Sequence, residues 1–223
     1  MVYRDRTEAA ELLAKALLQW RGTKPLVAAI PRGAVPMGRI VAERLDGDLD
    51  VVLVRKLHAP GNPEFAVGAI DETGWTYIAD YAEATGASRE YLEREIASEL
   101  ATIRARRALY TPKRAPIDAA NRAVIVVDDG LATGATMIAA LHAVRARQPS
   151  RLVCAVPVAS AEASAKVREY ADEVVCLQTP SWFHAVGQFY GRFPQVDDGE
   201  VVALLAAAAR RGASGAAAPG GST

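Results

Sequence analysis

Ala123-Val-Ile-Val-Val-Asp-Asp-Gly-Leu-Ala-Thr-Gly-Ala-Thr136 is the stretch on which the reading of the fold turns. Val124 to Val127 is an unbroken run of β-branched residues, which reads as a strand buried on both faces. A short loop rich in Gly and Thr follows, and an Ala-rich helical pattern begins at about Met137. Strand, small-residue loop and helix in that order make an anion site. Backbone N–H groups of the turn and the helix start point at the ligand, and the small side chains let a phosphate approach. Thr133 and Thr136 add hydroxyl donors, and Asp128 and Asp129 sit at the strand end, where an open α/β sheet places its ligand. Two carboxylates beside a phosphate cradle would repel the phosphate unless they face sugar hydroxyls or a metal ion. A ribose 5-phosphate satisfies both halves of the arrangement.

Other readings of the same residues fit less well. A P-loop needs Gly-Lys-Ser/Thr after its spacer, and no Lys follows Gly134. A dinucleotide fingerprint needs Gly-x-Gly-x-x-Gly, and only Gly130 and Gly134 are present. An ordinary strand–turn–helix with solvated aspartates is disfavoured by an adjacent Asp pair directly after an apolar strand.

Asp128-Asp129-Gly130-Leu131-Ala132-Thr133-Gly134-Ala135-Thr136 resembles, over its whole length, the phosphoribosyl-pyrophosphate (PRPP) motif of the type I phosphoribosyltransferases. The resemblance implies an α/β fold with a doubly wound, mainly parallel sheet, a β-hairpin and helix insertion, and a small hood. It implies that Asp128 and Asp129 hold the ribose 2′- and 3′-hydroxyls while Gly130 to Thr136 wrap the 5′-phosphate. Most of residues 26–190 can be fitted to the family, with motif identity at 124–136.

The chain of 223 residues suits one α/β domain with additions, and half of it is hydrophobic (51%), as in a globular protein. Charges balance at 26 basic and 26 acidic, so no general attraction to nucleic acid or membrane is expected. Cys154 and Cys176 each lie in an apolar strand-like run and read as buried thiols, not as a disulfide framework or a nucleophile. No apolar run reaches membrane-spanning length and the N-terminus lacks a signal-peptide core, so a cytoplasmic location is expected. The three histidines show no metal-ligand spacing. The domain is expected over 1–209, with the hood at about 179–195 and a flexible Ala/Gly/Ser tail or linker at 210–223.

Along the chain, Thr7–Trp20 carries the apolar stripe of a helix that Asp5 or Thr7 could cap. Leu26–Ile30 is a strand running into Pro31-Arg32-Gly33, and Pro36 suits the first turn of the next helix. This is a second strand–loop–helix anion site; by the resemblance, Arg32 and Gly33 hold the pyrophosphate, beside a strained peptide. Asp50–Val54 reads as a strand ending in Arg55-Lys56, which the resemblance also assigns to the pyrophosphate. The prolines and glycine of 57–66 suggest an irregular surface loop, and the resemblance makes it part of a mobile cover over PRPP.

Phe65–Ile70 and Trp75–Ala79 read as a hairpin, and Ser88 as the cap of a helix to about Tyr110. The cluster Arg104, Arg106, Arg107, Lys113 and Arg114 reads as a solvated helix end. Strands at 151–156 and 174–177 flank a helix capped by Ser160. The segment 179–190 is aromatic and irregular; the resemblance makes Trp182 and Phe183 the candidates for stacking on an acceptor base. Asp197 and Glu200 form a capping-box pattern for a last helix through Leu205.

The implied reaction is displacement at ribose C1 of PRPP by a nitrogenous base or amine, with pyrophosphate leaving. Asp128 and Asp129 would oppose positive charge on the ring, while Arg32, Lys56, backbone amides and Mg²⁺ would stabilise the leaving group. Mg²⁺ would arrive with PRPP, with Asp128 and Asp129 as its candidate protein contacts. Ala132 stands where 6-oxopurine enzymes of the family carry an Asp, which weakens a 6-oxopurine acceptor. A homodimer is implied by the family. The rival readings are a PRPP-binding regulator with little turnover, and a phosphatase or kinase-like α/β enzyme, which lacks its Asp-x-Asp or P-loop Lys here.

Overall fold

The computed structural model describes residues 1–112 and 115–216, of Glu64 and of 212–216 the backbone alone. Lys113 and Arg114 of the basic cluster, and residues 217–223 of the expected tail, lie outside the described residues. In chain order the elements are α1 (Arg6–Ala16), β1 (Leu26–Ala29), α2 (Val35–Leu45), β2 (Asp48–Val51), β3 (Val54–Ala59), β4 (Asn62–Asp71) and β5 (Thr76–Ile78). There follow α3 (Arg89–Tyr110), β6 (Ala123–Val127), α4 (Ala135–Arg145), β7 (Arg151–Val158), α5 (Ala161–Val167), β8 (Glu173–Gln178) and α6 (Asp198–Ala216).

Helix starts follow their polar caps. The side chains of Asp5, Ser88 and Ser160 accept from the N–H groups of Glu8, Tyr91 and Ala163, each cap worth about 1 kcal/mol. Pro36 occupies the first turn of α2, as expected. Asp197 accepts from the Glu200 N–H at 2.8 Å, so the cap of α6 also forms.

The central sheet is parallel, in the order β2-β1-β6-β7-β8. Its strands alternate between two cores. Val27 and Ala29, Ile125 and Val127, Val153 and Ala155 face the layer of α1 and α2, with α6 at its edge. Leu26 and Ala28, Val124 and Val126, Leu152 and Cys154 face α4 and α5. Burial on both faces is why these strands read as continuous apolar runs instead of alternating ones. Chain direction across the sheet reverses between β1 and β6. Loops leave the two strands there in opposite directions, opening a crevice at their C-terminal ends.

β3, β4 and β5 form a separate antiparallel sheet, packed against α3 and α4. Two expectations fail in this region. The strand expected over 50–54 is split into β2 and β3, so Arg55 and Lys56 lie inside a strand and not at its end. The loop expected over 57–66 is instead the hairpin between β3 and β4, with Ala59 opposite Asn62 across a Pro60-Gly61 turn. Gly61 takes φ +71°, which a glycine adopts without strain. Pro63 falls where the register is irregular, so no ladder N–H is lost.

Arg107 is not a solvated helix end. Its Nη2 donates to Glu72 Oε2 at 2.8 Å and to the Val51 carbonyl at 3.1 Å, joining α3 to both sheets. The last helix runs past Leu205 to Ala216, into the stretch from 210 expected as tail.

Candidate ribose-phosphate site

At the crevice between β1 and β6, residues 128–134 form a loop fixed by backbone contacts. The Leu131 N–H donates to the Val158 carbonyl at 2.9 Å, and the Ser160 hydroxyl to the Ala132 carbonyl at 2.7 Å. Gly134 caps α4 in the left-handed region at φ +82°. The first backbone bond of α4 runs from Ile138 to the Gly134 carbonyl. The N–H groups of Gly134, Ala135, Thr136 and Met137 therefore have no acceptor within the helix and are directed out of its N-terminus. Ala132 and Thr133 are exposed at the loop crest, while Leu131 and Ala135 are buried beneath it.

The acidic pair sits one step back. Asp128 Oδ1 accepts from the Asp129 N–H at 2.8 Å. Asp129 Oδ2 accepts twice from Arg6 of α1, from Nε at 3.1 Å and Nη2 at 2.9 Å. Arg6 Nη1 donates to the Pro194 carbonyl at 2.6 Å, and its guanidinium carbon lies 3.7 Å from the Phe193 ring centroid. The Tyr190 hydroxyl donates to the Asp129 carbonyl at 2.6 Å. Burial, then the charge of Asp129, pushes the Asp128 carboxyl well above the usual carboxylate range. Burial also raises Asp129, with Arg6 opposing it. Burial raises the Tyr190 phenol as well.

Gly33 is fitted to this pair: a Cβ there would lie 2.4 Å from Asp129 Oδ2 and 3.0 Å from Arg6 Nη2. The Pro31–Arg32 peptide is cis. Arg32 Nη1 stands 3.9 Å from Asp198 Oδ2 at the start of α6, and the Tyr110 hydroxyl also donates to Asp198. Lys56 is exposed, and its charge opposes the upward shift of both aspartates.

Arg55 goes elsewhere. Its Nε donates to Glu99 Oε2 of α3 at 2.5 Å, and its Nη2 to Oε1 at 3.3 Å. Neighbouring strand residues point to opposite faces, so Arg55 turns toward α3 and Lys56 away from it. His58, Glu95 and Glu99 do come together, with ligand atoms within 4.8 Å; Arg55 already answers the Glu99 charge. In the hood, Phe183 packs on Phe189 at 5.1 Å between centroids, beside the buried core. Trp182 is 72% exposed and meets His184 edge-on. The hood touches the loop: a Cβ on Gly130 would lie 2.7 Å from Val186 Cγ1.

Arg6, Tyr190 and Phe193 escaped the sequence reading. Arg6 lies 123 positions from Asp129, and nothing local distinguishes it from any helix-start arginine.

The family model of the phosphoribosyl transferase domain matches residues 5–192. The chain belongs to this family. Its similarity to the Thermus thermophilus protein TT1426 is 47% identity, covering 92% of this chain and 98% of that one, with a TM-score of 0.77. Two Mycobacterium tuberculosis proteins, from strains CDC 1551 and H37Rv, bear names that provisionally make them phosphoribosyl transferases. Each is 40% identical over 208 residues, or 92% of this chain. The chain spans about half the length (46%) of these relatives. Matched residues of the phosphoribosyl transferase domain thus include Arg6, the acidic pair and the loop, and end just before Phe193.

Proposed function

We propose that the protein transfers the 5-phosphoribosyl group of PRPP to a nitrogenous base or amine, releasing pyrophosphate. One observation carries the reading: a paired carboxylate stands at the sheet's switch point, directly beside outward-facing N–H groups of a helix start. Asp128 and Asp129 hold the ribose hydroxyls and oppose positive charge on the ring as the C1 bond breaks. Gly130 to Thr136 bind the 5-phosphate. Arg32, held beside Gly33, and Lys56, from the antiparallel sheet, stand on the side of the leaving pyrophosphate. Most of the rate enhancement comes from positioning and preorganised charge, and no residue becomes covalent.

Mg²⁺ fits this site as a companion of PRPP. Asp128 and Asp129 would face it with the carboxylate oxygens that are not tied internally, and the ion would neutralise charge on the departing pyrophosphate. Trp182 is the aromatic available to an acceptor. A homodimer is proposed on the family resemblance alone, and sedimentation of the purified chain tests it; the cytoplasmic location is proposed on the sequence pattern alone.

The deciding experiment measures pyrophosphate release from PRPP and Mg²⁺ across a panel of bases and small amines. Acceptor-dependent release establishes the transferase and names the acceptor class. Tight binding without release for every acceptor supports the regulator instead. The double substitution Asp128→Asn/Asp129→Asn should abolish Mg²⁺-dependent PRPP binding while circular dichroism stays unchanged. Unaltered affinity would remove the central assignment.

A further inference from the structure

The geometry points to Arg6 as a positioning residue that decides which oxygen of Asp129 is presented to the sugar. This inference rests on the ribose reading of the site. Both Nε and Nη2 of Arg6 converge on one oxygen, Oδ2, at 3.1 and 2.9 Å. Among the described residues, no other residue donates a hydrogen bond to Asp129 Oδ1. Asp128 is arranged in parallel, with Oδ1 tied to the Asp129 N–H at 2.8 Å and Oδ2 without a bond among the described residues. Each carboxylate therefore offers one oxygen. Two single acceptors on adjacent residues match two vicinal ring hydroxyls, each of which donates once.

Arg6 is itself fixed. Its remaining terminal nitrogen is held by the Pro194 carbonyl at 2.6 Å, its flat face rests 3.7 Å from the Phe193 centroid, and its side chain is only 12% exposed. A guanidinium held along an edge, at a third nitrogen and on its face has one orientation to impart. The absent side chain of Gly33 is part of the same device, since a Cβ would strike Asp129 Oδ2 and crowd Arg6 Nη2. Without Arg6, Asp129 is free to rotate about its last bond and share either oxygen. The pairing with the hydroxyls is then no longer preset.

A ligand pair tests this in the full chain: 1,4-anhydroribitol 5-phosphate, with both ring hydroxyls, and its 2,3-dideoxy counterpart, with neither. The wild type should bind the first more tightly. Arg6→Gln should weaken the first by about tenfold, the scale of one hydrogen bond to a charged group, and leave the second within about twofold. Arg6→Lys should recover part of the difference. Phe193→Ala, at a half-exposed position, should loosen the guanidinium and give a smaller loss of the same selective kind, so the idea stays testable if Arg6→Gln does not fold. Equal weakening of both ligands would reduce Arg6 to a structural role and overturn the proposal. Tighter binding by Arg6→Gln would overturn it too, by making Arg6 a competitor of the ligand. If the wild type binds neither ligand nor PRPP, the ribose reading fails and this proposal with it. Wild-type binding with an unchanged Arg6→Gln variant sinks the proposal alone.

Discussion

Burial and the charge of Asp129 raise the Asp128 carboxyl well above the usual range, so the folded protein holds this proton more tightly than the unfolded chain does. Below the ordinary carboxylate range both states are protonated and the contribution to stability is intact. As pH rises from there toward the raised folded value, the unfolded state ionises first and stability is lost. The ligand-free site is therefore a burden at neutral pH. Asp128→Asn should stabilise the ligand-free protein by on the order of 1 kcal/mol at pH 8, with a smaller gain at pH 5, in urea unfolding. An equal gain at both pH values would show that Asp128 does not titrate as argued. At this scale the sequence spoke clearly about the acidic pair, because adjacency after an apolar strand is a local pattern. It was silent about Arg6, because a partner across the fold leaves no local trace. Arg55 and Lys56 look alike in sequence, yet strand alternation sends one to Glu99 and the other to the opposite face of β3.

That alternation gives a prediction at the level of the element. β3 turns Arg55 toward α3, and the proposed function gives Lys56 to the pyrophosphate, so the two substitutions should separate. Lys56→Ala should raise the Kd for PRPP about tenfold or more, and Arg55→Ala by markedly less. In urea the order should reverse, since Arg55→Ala leaves the buried Glu99 without its arginine, at about 1–3 kcal/mol. Matching losses of affinity would place both cations at the ligand. Strands of the central sheet were legible because burial on both faces gives uninterrupted apolar runs, and helix starts because Asp5, Ser88 and Ser160 are caps. The β3–β4 hairpin is hidden in the sequence because its prolines carry the pattern of breakers. Pro60 serves the turn, and Pro63 falls where the ladder is already irregular. The length of α6 was missed because its Gly- and Ser-containing end resembles linker composition.

Across the whole molecule, both cores meet the crevice through β1 and β6, so occupancy of the site should be felt by the entire fold. With PRPP at a hundred times its Kd and Mg²⁺ present, unfolding free energy should rise by about 2.7 kcal/mol. For a chain of this size that is a shift of roughly 5–10 °C in Tm, readable by scanning fluorimetry. No shift at saturating ligand would contradict binding to the native state. The sheet order was legible only as a class: alternating strands and helices implied a parallel sheet, whereas the reversal between β1 and β6 that locates the crevice emerged from the three-dimensional pairing.

Tyr3 bridges to Tyr190, and Arg6 reaches Pro194 and Phe193 while holding Asp129. The ligand-facing carboxylate is thus clasped by segments lying almost 190 positions apart. On the proposed reading, the ribose-recognising unit has no smaller portable form: a transplant that carries the Asp-Asp loop with its flanking strand and helix, but not both of these distant segments, should move a phosphate cradle without its sugar selectivity.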